Sequence, residues 1–140
     1  MALQFTQLAC LHTAAGGKHP LRLRIASGFW PRFRGLMFAP PLPASPEVHG
    51  LLLTDCASVH GCFMRYPLDV AYLGACDQSG ACCVTRTARL KPWRVSAGKS
   101  VLSCPESGAA RRVRSRHALE LPAGCIASWH VAPGDQLRLM

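Results

Sequence analysis

The chain is poor in acidic side chains and contains no long apolar run. Seven Asp and Glu residues stand against sixteen Lys and Arg, which gives 140 residues a net charge of +9. No run of about 18 apolar residues occurs, which excludes a membrane-spanning helix. Long helical patterns, which a parallel α/β sheet would require, are also absent. What remains is one small domain, for which a hydrophobic content of 49% supplies a core.

The eight cysteines lack the spacing of a disulfide framework or of a zinc knuckle. Their intervals are irregular, and no C-x-x-C pair occurs among them. A domain of this length also folds without covalent bridges. We therefore expect most of the cysteines to be free thiols, buried as small hydrophobic side chains.

The first twenty residues lack a basic region followed by a compact apolar core. They do not have the pattern of a signal peptide. We therefore predict a poorly ordered leader over residues 1–19, a single β domain over residues 20–140, and a cytoplasmic location.

Short apolar segments separated by turn residues dominate the chain. Leu21 to Ile25 alternates apolar and basic side chains, the period-two pattern of a half-buried strand. Residues 74–80 have the turn chemistry of a hairpin loop. Further strands are predicted at 51–53, 58–65, 68–73, 81–89 and 117–121, with an edge strand at 136–139 and helical turns within 29–38 and 123–131. This pattern predicts a mainly β fold, a β-sandwich or flattened barrel with one or two short helices.

The stretch from Val59 to Leu73 holds the main candidates for a functional site. Pro67 cannot donate to a strand ladder, so the chain is expected to bend there. His60 before the bend and Asp69 after it can then approach each other. A carboxylate among apolar neighbours should recruit a hydrogen-bond donor. We predict one partly buried ligand-binding site formed by Arg32, His60, Met64 and Asp69.

Four motifs in order along the chain carry a family resemblance. They are Arg32-Phe33-Arg34-Gly35-Leu36-Met37, the segment from His60 to Asp69, Leu119-Glu120 with Gly124, and Gly134-Asp135. In this order they resemble a family of small prokaryotic domains known as domain-of-unknown-function family 192. The resemblance covers residues 20 to 140 and implies a mainly β domain, here of bacterial origin, without an established activity. Gly61 departs from the family pattern, which has Thr at that position.

Two kinds of chemistry are conceivable in this stretch. Cys56, His60 and Cys62 could share one face of a strand, but side chains spaced about 7 Å apart cannot all reach one ion. We therefore expect neither a metal nor a cofactor. His60 and Asp69 could instead act as a base with its orienting carboxylate. The alternative is that Asp69 accepts backbone N–H groups or pairs with Arg32 or Arg65. An inward-facing Glu120 is likewise expected to require an arginine partner.

The positive charge is concentrated in one segment. Nine Lys and Arg lie between Arg86 and Arg116 against a single acid, Glu106. Such a segment could contact nucleic acid or an acidic partner, although it lacks the interleaved aromatic residues of single-strand binders, so nucleic acid is not favoured.

Three functions follow from these patterns. The first is a non-catalytic module that binds a small ligand or a protein, but no membrane, through a pocket near the Pro67 bend. The alternatives are a hydrolase-like enzyme using His60 and Asp69, and a basic module acting through residues 86–116. Whether the protein is an enzyme stays open at this point.

Overall fold

A computed structural model describes residues 5–28, 41–44, 47–98, 100–102 and 112–140. In these ranges the chain forms strands and one short helix. In chain order they are β1 (Gln7–His12), β2 (Lys18–Ala26), β3 (Val48–Leu53), β4 (Ser58–His60), β5 (Leu68–Leu73), β6 (Ala81–Leu90), β7 (Val95–Ala97), β8 (Ser100–Leu102), β9 (Arg112–Arg114), β10 (His117–Pro122), α1 (Cys125–Trp129) and β11 (Gln136–Leu139).

Seven of these strands close into a barrel. Their order around it is β1-β11-β6-β5-β10-β3-β2. Strands β2 and β3 pair in parallel, and the other pairings of the barrel are antiparallel. Two short ribbons, β4–β7 and β8–β9, lie outside this sheet. The prediction of a mainly β fold is therefore confirmed, with a closed barrel as its architecture.

Three local predictions require correction. Residues 7–12 form β1, which pairs with β2 and β11, so the poorly ordered leader predicted for residues 1–19 is wrong there. Strand β11 is not an edge, because it pairs with both β1 and β6. The strand predicted for residues 58–65 ends at His60, because Gly61 begins a turn that hydrogen-bonds to another loop. The helical turns predicted within residues 29–38 lie outside the described residues.

Side chains of the barrel strands alternate between two hydrophobic clusters. The interior cluster receives residues from all seven strands and from α1, including Leu23, Leu52, Leu119 and Leu137. The second cluster lies on the outer face of β2, β3, β10, β5 and β6. It is covered by Val59 of β4 and by Met64 in the following turn. The two clusters thus place successive residues of β5 and β10 in separate environments.

One disulfide corrects the expectation of free cysteines. Cys76 and Cys82 are bonded across the β5–β6 hairpin, because the turn brings Cys76 back beside the start of β6. The other described cysteines, Cys10, Cys56, Cys62, Cys83 and Cys125, are unbonded. Within the described ranges, no helix is long and apolar enough to cross a membrane.

Candidate functional site

Asp69 anchors the only described helix to the barrel. Its side chain is buried, with 3% of the residue exposed. The Oδ2 atom accepts hydrogen bonds from the backbone N–H of Gly124 at 2.9 Å and of Ile126 at 3.0 Å. The Oδ1 atom accepts one from Arg89 Nε at 3.3 Å. The backbone donors predicted for a buried Asp69 are thus present, and the arginine that pairs with it is Arg89 and not the predicted Arg65.

His60 and Met64 lie on the other side of the sheet from Asp69. Met64 is buried in the outer cluster, together with Leu68 and Val70 of β5. Because side chains alternate along a strand, Asp69 shares the opposite face with Ala71 of the interior cluster.

Of the four predicted site residues, the three that the structure describes, His60, Met64 and Asp69, are therefore divided between the two sides of the sheet. His60 ends β4, and its Nδ1 accepts a hydrogen bond from the backbone N–H of Cys62 at 3.3 Å. Met64 lies in the turn that follows β4, close in sequence to His60. The three hydrogen bonds of Asp69 go to other residues. Arg32 lies outside the described residues. A ligand-binding role for each of the four stays a prediction.

Glu120 is a buried acid without an arginine partner among the described residues. Only 2% of it is exposed, and its Cα pairs with Leu51 and Val70 in the middle of the sheet. Its Oε2 atom has no hydrogen-bond partner in the described part of the chain. Burial raises the pKa of Glu120 to about 8. At this pKa the carboxyl group is mostly protonated at pH 7, whereas an arginine partner from the residues outside the described ranges stays a prediction.

Two aromatic side chains, Phe63 and Trp93, project from adjacent turns. Both have a left-handed backbone, with φ of 59° and 63°. Their rings meet edge to face, with centroids 4.8 Å apart. They remain largely exposed, at 46% for Phe63 and 62% for Trp93. Sequence reasoning missed this pair, because neither the backbone conformation nor the contact between distant turns leaves a signal in the sequence.

The two turns are tied together through Gly61. Its N–H donates to Arg94 O at 2.8 Å, and its carbonyl accepts from Trp93 N at 2.7 Å and from Met64 N at 3.2 Å. A Cβ atom at Gly61 would lie 2.5 Å from Lys91 O and 3.0 Å from Trp93 N. The packing of the two turns in this chain therefore requires glycine at position 61.

Gly61→Ala is expected to lower the free energy of unfolding by about 1–3 kcal/mol, because the added methyl group forces the two turns apart. Urea denaturation of the wild-type protein and of Gly61→Ala measures this difference in the free energy of unfolding. Gln78→Ala, in an exposed loop, serves as the control and should stay within about 0.5 kcal/mol. An equally small effect of Gly61→Ala would contradict the close packing of the turns.

Exposed cations accompany the aromatic pair. Arg65, Lys91 and Arg94 are exposed and lie in the same turns. Neither residues 57–68 nor residues 86–98 contain an Asp or Glu. We refer to Phe63, Trp93 and these three cations as the aromatic–basic surface. Two of its members, Phe63 and Arg65, lie within four residues of Pro67, the bend near which the sequence predicted a pocket.

Comparisons with known proteins identify relatives over most of the chain. The family model DUF192, described as an uncharacterized ACR, matches residues 11–139. A UPF0127 protein of Pyrococcus furiosus is 32% identical over 128 residues, covering 91% of this chain and 95% of the relative. A UPF0127 protein of Pyrococcus horikoshii is 31% identical over 116 residues, covering 83% and 85%. These relatives are archaeal, so the bacterial origin stays a prediction.

Two solved structures share the fold. A Sinorhizobium meliloti protein, described provisionally as a transcription regulator, has a TM-score of 0.70 and 21% identity, covering 99% of this chain and 98% of that one. A Novosphingobium aromaticivorans protein of unknown function has a TM-score of 0.65 and 18% identity, covering 94% and 83%. At such identities the likeness concerns the fold alone. The family match and the Pyrococcus relatives nevertheless agree over most of the chain, which therefore belongs to the uncharacterised DUF192 family.

Proposed function

We propose that this domain is a non-catalytic binding module that holds single-stranded nucleic acid on its aromatic–basic surface. The observation that carries the proposal is the exposure of Phe63 and Trp93 on left-handed backbone. A left-handed conformation at a bulky residue costs on the order of 1–3 kcal/mol and persists where the surroundings enforce it. Here the hydrogen bonds of Gly61 enforce it, and they present two fixed rings to solvent.

The chemistry of this surface suits a polyanion with planar bases. Bases stack on exposed aromatic rings without a strong sequence preference, and phosphates pair with nearby cations. Arg65, Lys91 and Arg94 supply positive charge close to the rings, and the chain as a whole carries +9. The basic segment between Arg86 and Arg116 lacked interleaved aromatic residues in sequence. In the fold, Phe63 joins Trp93 from another turn and supplies the second ring.

The hydrolase alternative has less support. In that alternative His60 is the general base, and the carboxylate of Asp69 must orient its imidazole. The carboxylate instead accepts hydrogen bonds from Arg89 and the two backbone amides, and it faces the barrel interior.

Trp93→Ala is expected to weaken binding of a fluorescent deoxythymidine oligonucleotide by about tenfold or more. One stacked base contributes about 1–3 kcal/mol, which is lost with the ring. Fluorescence anisotropy at fixed salt measures the affinity. Ile25→Ala removes another exposed apolar side chain, from β2, and should leave the affinity unchanged. Equal losses in the two variants would contradict a role of the ring.

Arg94→Ala is expected to lower the salt dependence of the same binding by about one unit of the log–log slope, because one phosphate contact is lost. Arg138→Ala, at an exposed position of β11, is the control with the same change of charge.

Binding of poly-glutamate tests the alternative that the surface binds an acidic protein. If poly-glutamate binds as tightly as the oligonucleotide, or if neither binds, the assignment to nucleic acid is wrong.

A further inference from the structure

A cleft of about 290 Å³ opens beside β2, separate from the aromatic–basic surface. It is lined by Leu8, His19, Pro20, Leu21, Arg22, Glu47, Val48 and Trp129. Its volume is at the lower end of the range for small-molecule sites. None of the described residues of the motifs shared with the family lines this cleft.

One wall of the cleft is a stacked aromatic pair. The rings of His19 and Trp129 lie 4.6 Å apart and within 9° of parallel. Gly17 leaves room for the imidazole, since a Cβ there would lie 2.4 Å from His19 Nε2. Burial lowers the pKa of His19, so its ring is held in the neutral form beside the indole. This wall offers a planar apolar surface without a charge.

The lining of the cleft also carries one charge of each sign. Arg22 Nε donates to Glu47 Oε2, and both side chains are about half exposed. An ion pair that is this accessible contributes little to stability, so it can open at small cost. A ligand with both a carboxylate and an ammonium group can then pair with each partner. Ligands with a single charge would leave Arg22 or Glu47 without its counterion.

We infer that this cleft binds a free α-amino acid with an aromatic side chain. The ring would lie against the Trp129 wall and the apolar floor formed by Leu8, Pro20 and Val48. The α-carboxylate would pair with Arg22 and the α-ammonium with Glu47. The site is independent of nucleic-acid binding, because it shares no residue with the aromatic–basic surface.

The experiment is an NMR titration of the ¹⁵N-labelled protein with L-phenylalanine. Saturable shifts are expected at the amides of Leu8, Arg22 and Val48. Phenethylamine lacks the carboxylate and 3-phenylpropionate lacks the ammonium group, and each should bind about tenfold more weakly, because one charged hydrogen bond is lost.

Glu47→Gln is expected to reduce the affinity for L-phenylalanine and to raise that for 3-phenylpropionate, because Arg22 then has no other counterion among the described residues. Arg22→Gln should reduce the affinity for L-phenylalanine and raise that for phenethylamine, because Glu47 then has no other counterion in the described part of the chain. Arg138→Gln is the control and should leave all three affinities unchanged. All three side chains are at least partly exposed, so the variants should fold. Equal affinity for all three compounds, or no shift at the cleft up to about 20 mM ligand, overturns the inference.

Discussion

Replacement of Glu120 by glutamine should make the protein more stable above pH 8 and leave its stability almost unchanged below pH 4.5. The carboxyl group ionises near pH 4.5 in the unfolded chain, whereas burial raises its pKa to about 8 in the folded protein. Folding therefore takes up a proton between these values, and stability falls as the pH rises through this window. Glutamine has a similar shape, remains neutral, and removes this dependence.

The expected difference is large because the group is fully buried. Each pKa unit corresponds to about 1.4 kcal/mol, so the gain from Glu120→Gln at alkaline pH is on the order of 3–5 kcal/mol. Urea unfolding at a series of pH values measures it. Glu47→Gln, at an exposed position, is the control and should not alter the pH profile in this way. Parallel profiles for wild type and Glu120→Gln would mean that Glu120 is ionised in the folded protein.

Asp69→Ala should lower the free energy of unfolding by about 2–4 kcal/mol. The change leaves the backbone N–H groups of Gly124 and Ile126 without their acceptor, and it removes the counterion of Arg89. Asp69→Asn keeps one acceptor oxygen and should lose less.

The same denaturation experiment tests this second expectation. Hydrogen exchange should additionally accelerate at the start of α1, because Asp69 holds this helix to β5. Glu47→Ala is the surface control and should stay within about 1 kcal/mol. A loss below about 0.5 kcal/mol on Asp69→Ala would mean that this carboxylate contributes little to the stability of the fold.

The sequence predicted those parts of the fold that depend on local patterns. Residues 68–73 form β5 as expected, and the turn between β5 and β6 follows from Asp77, Ser79 and Gly80. The closure of the barrel was not predictable in this way. It depends on pairing β1 with β11, strands that are more than a hundred residues apart. The segment of β1 also mixes apolar residues with Cys10 and His12, which weakened its strand pattern.

In the candidate site, too, some features follow from local sequence and others depend on contacts between distant residues. The need of Asp69 for donors followed from the cost of burying a charge, but its actual donors at Gly124 and Ile126 lie 55 and 57 residues away. For Glu120, the sequence argument assumed that the carboxyl group stays ionised. Protonation was the alternative, and the choice depends on burial that only the folded structure defines.

The position of β11 in the barrel also affects how the chain folds during synthesis. Residues 136–139 are translated after every other strand of the barrel, yet they pair with both β1 and β6. Until they leave the ribosome, β1 and β6 each expose an unpaired backbone edge. The barrel therefore cannot close before β11 has left the ribosome, and a nascent chain that stalls before Gln136 would present two edges for pairing with other chains.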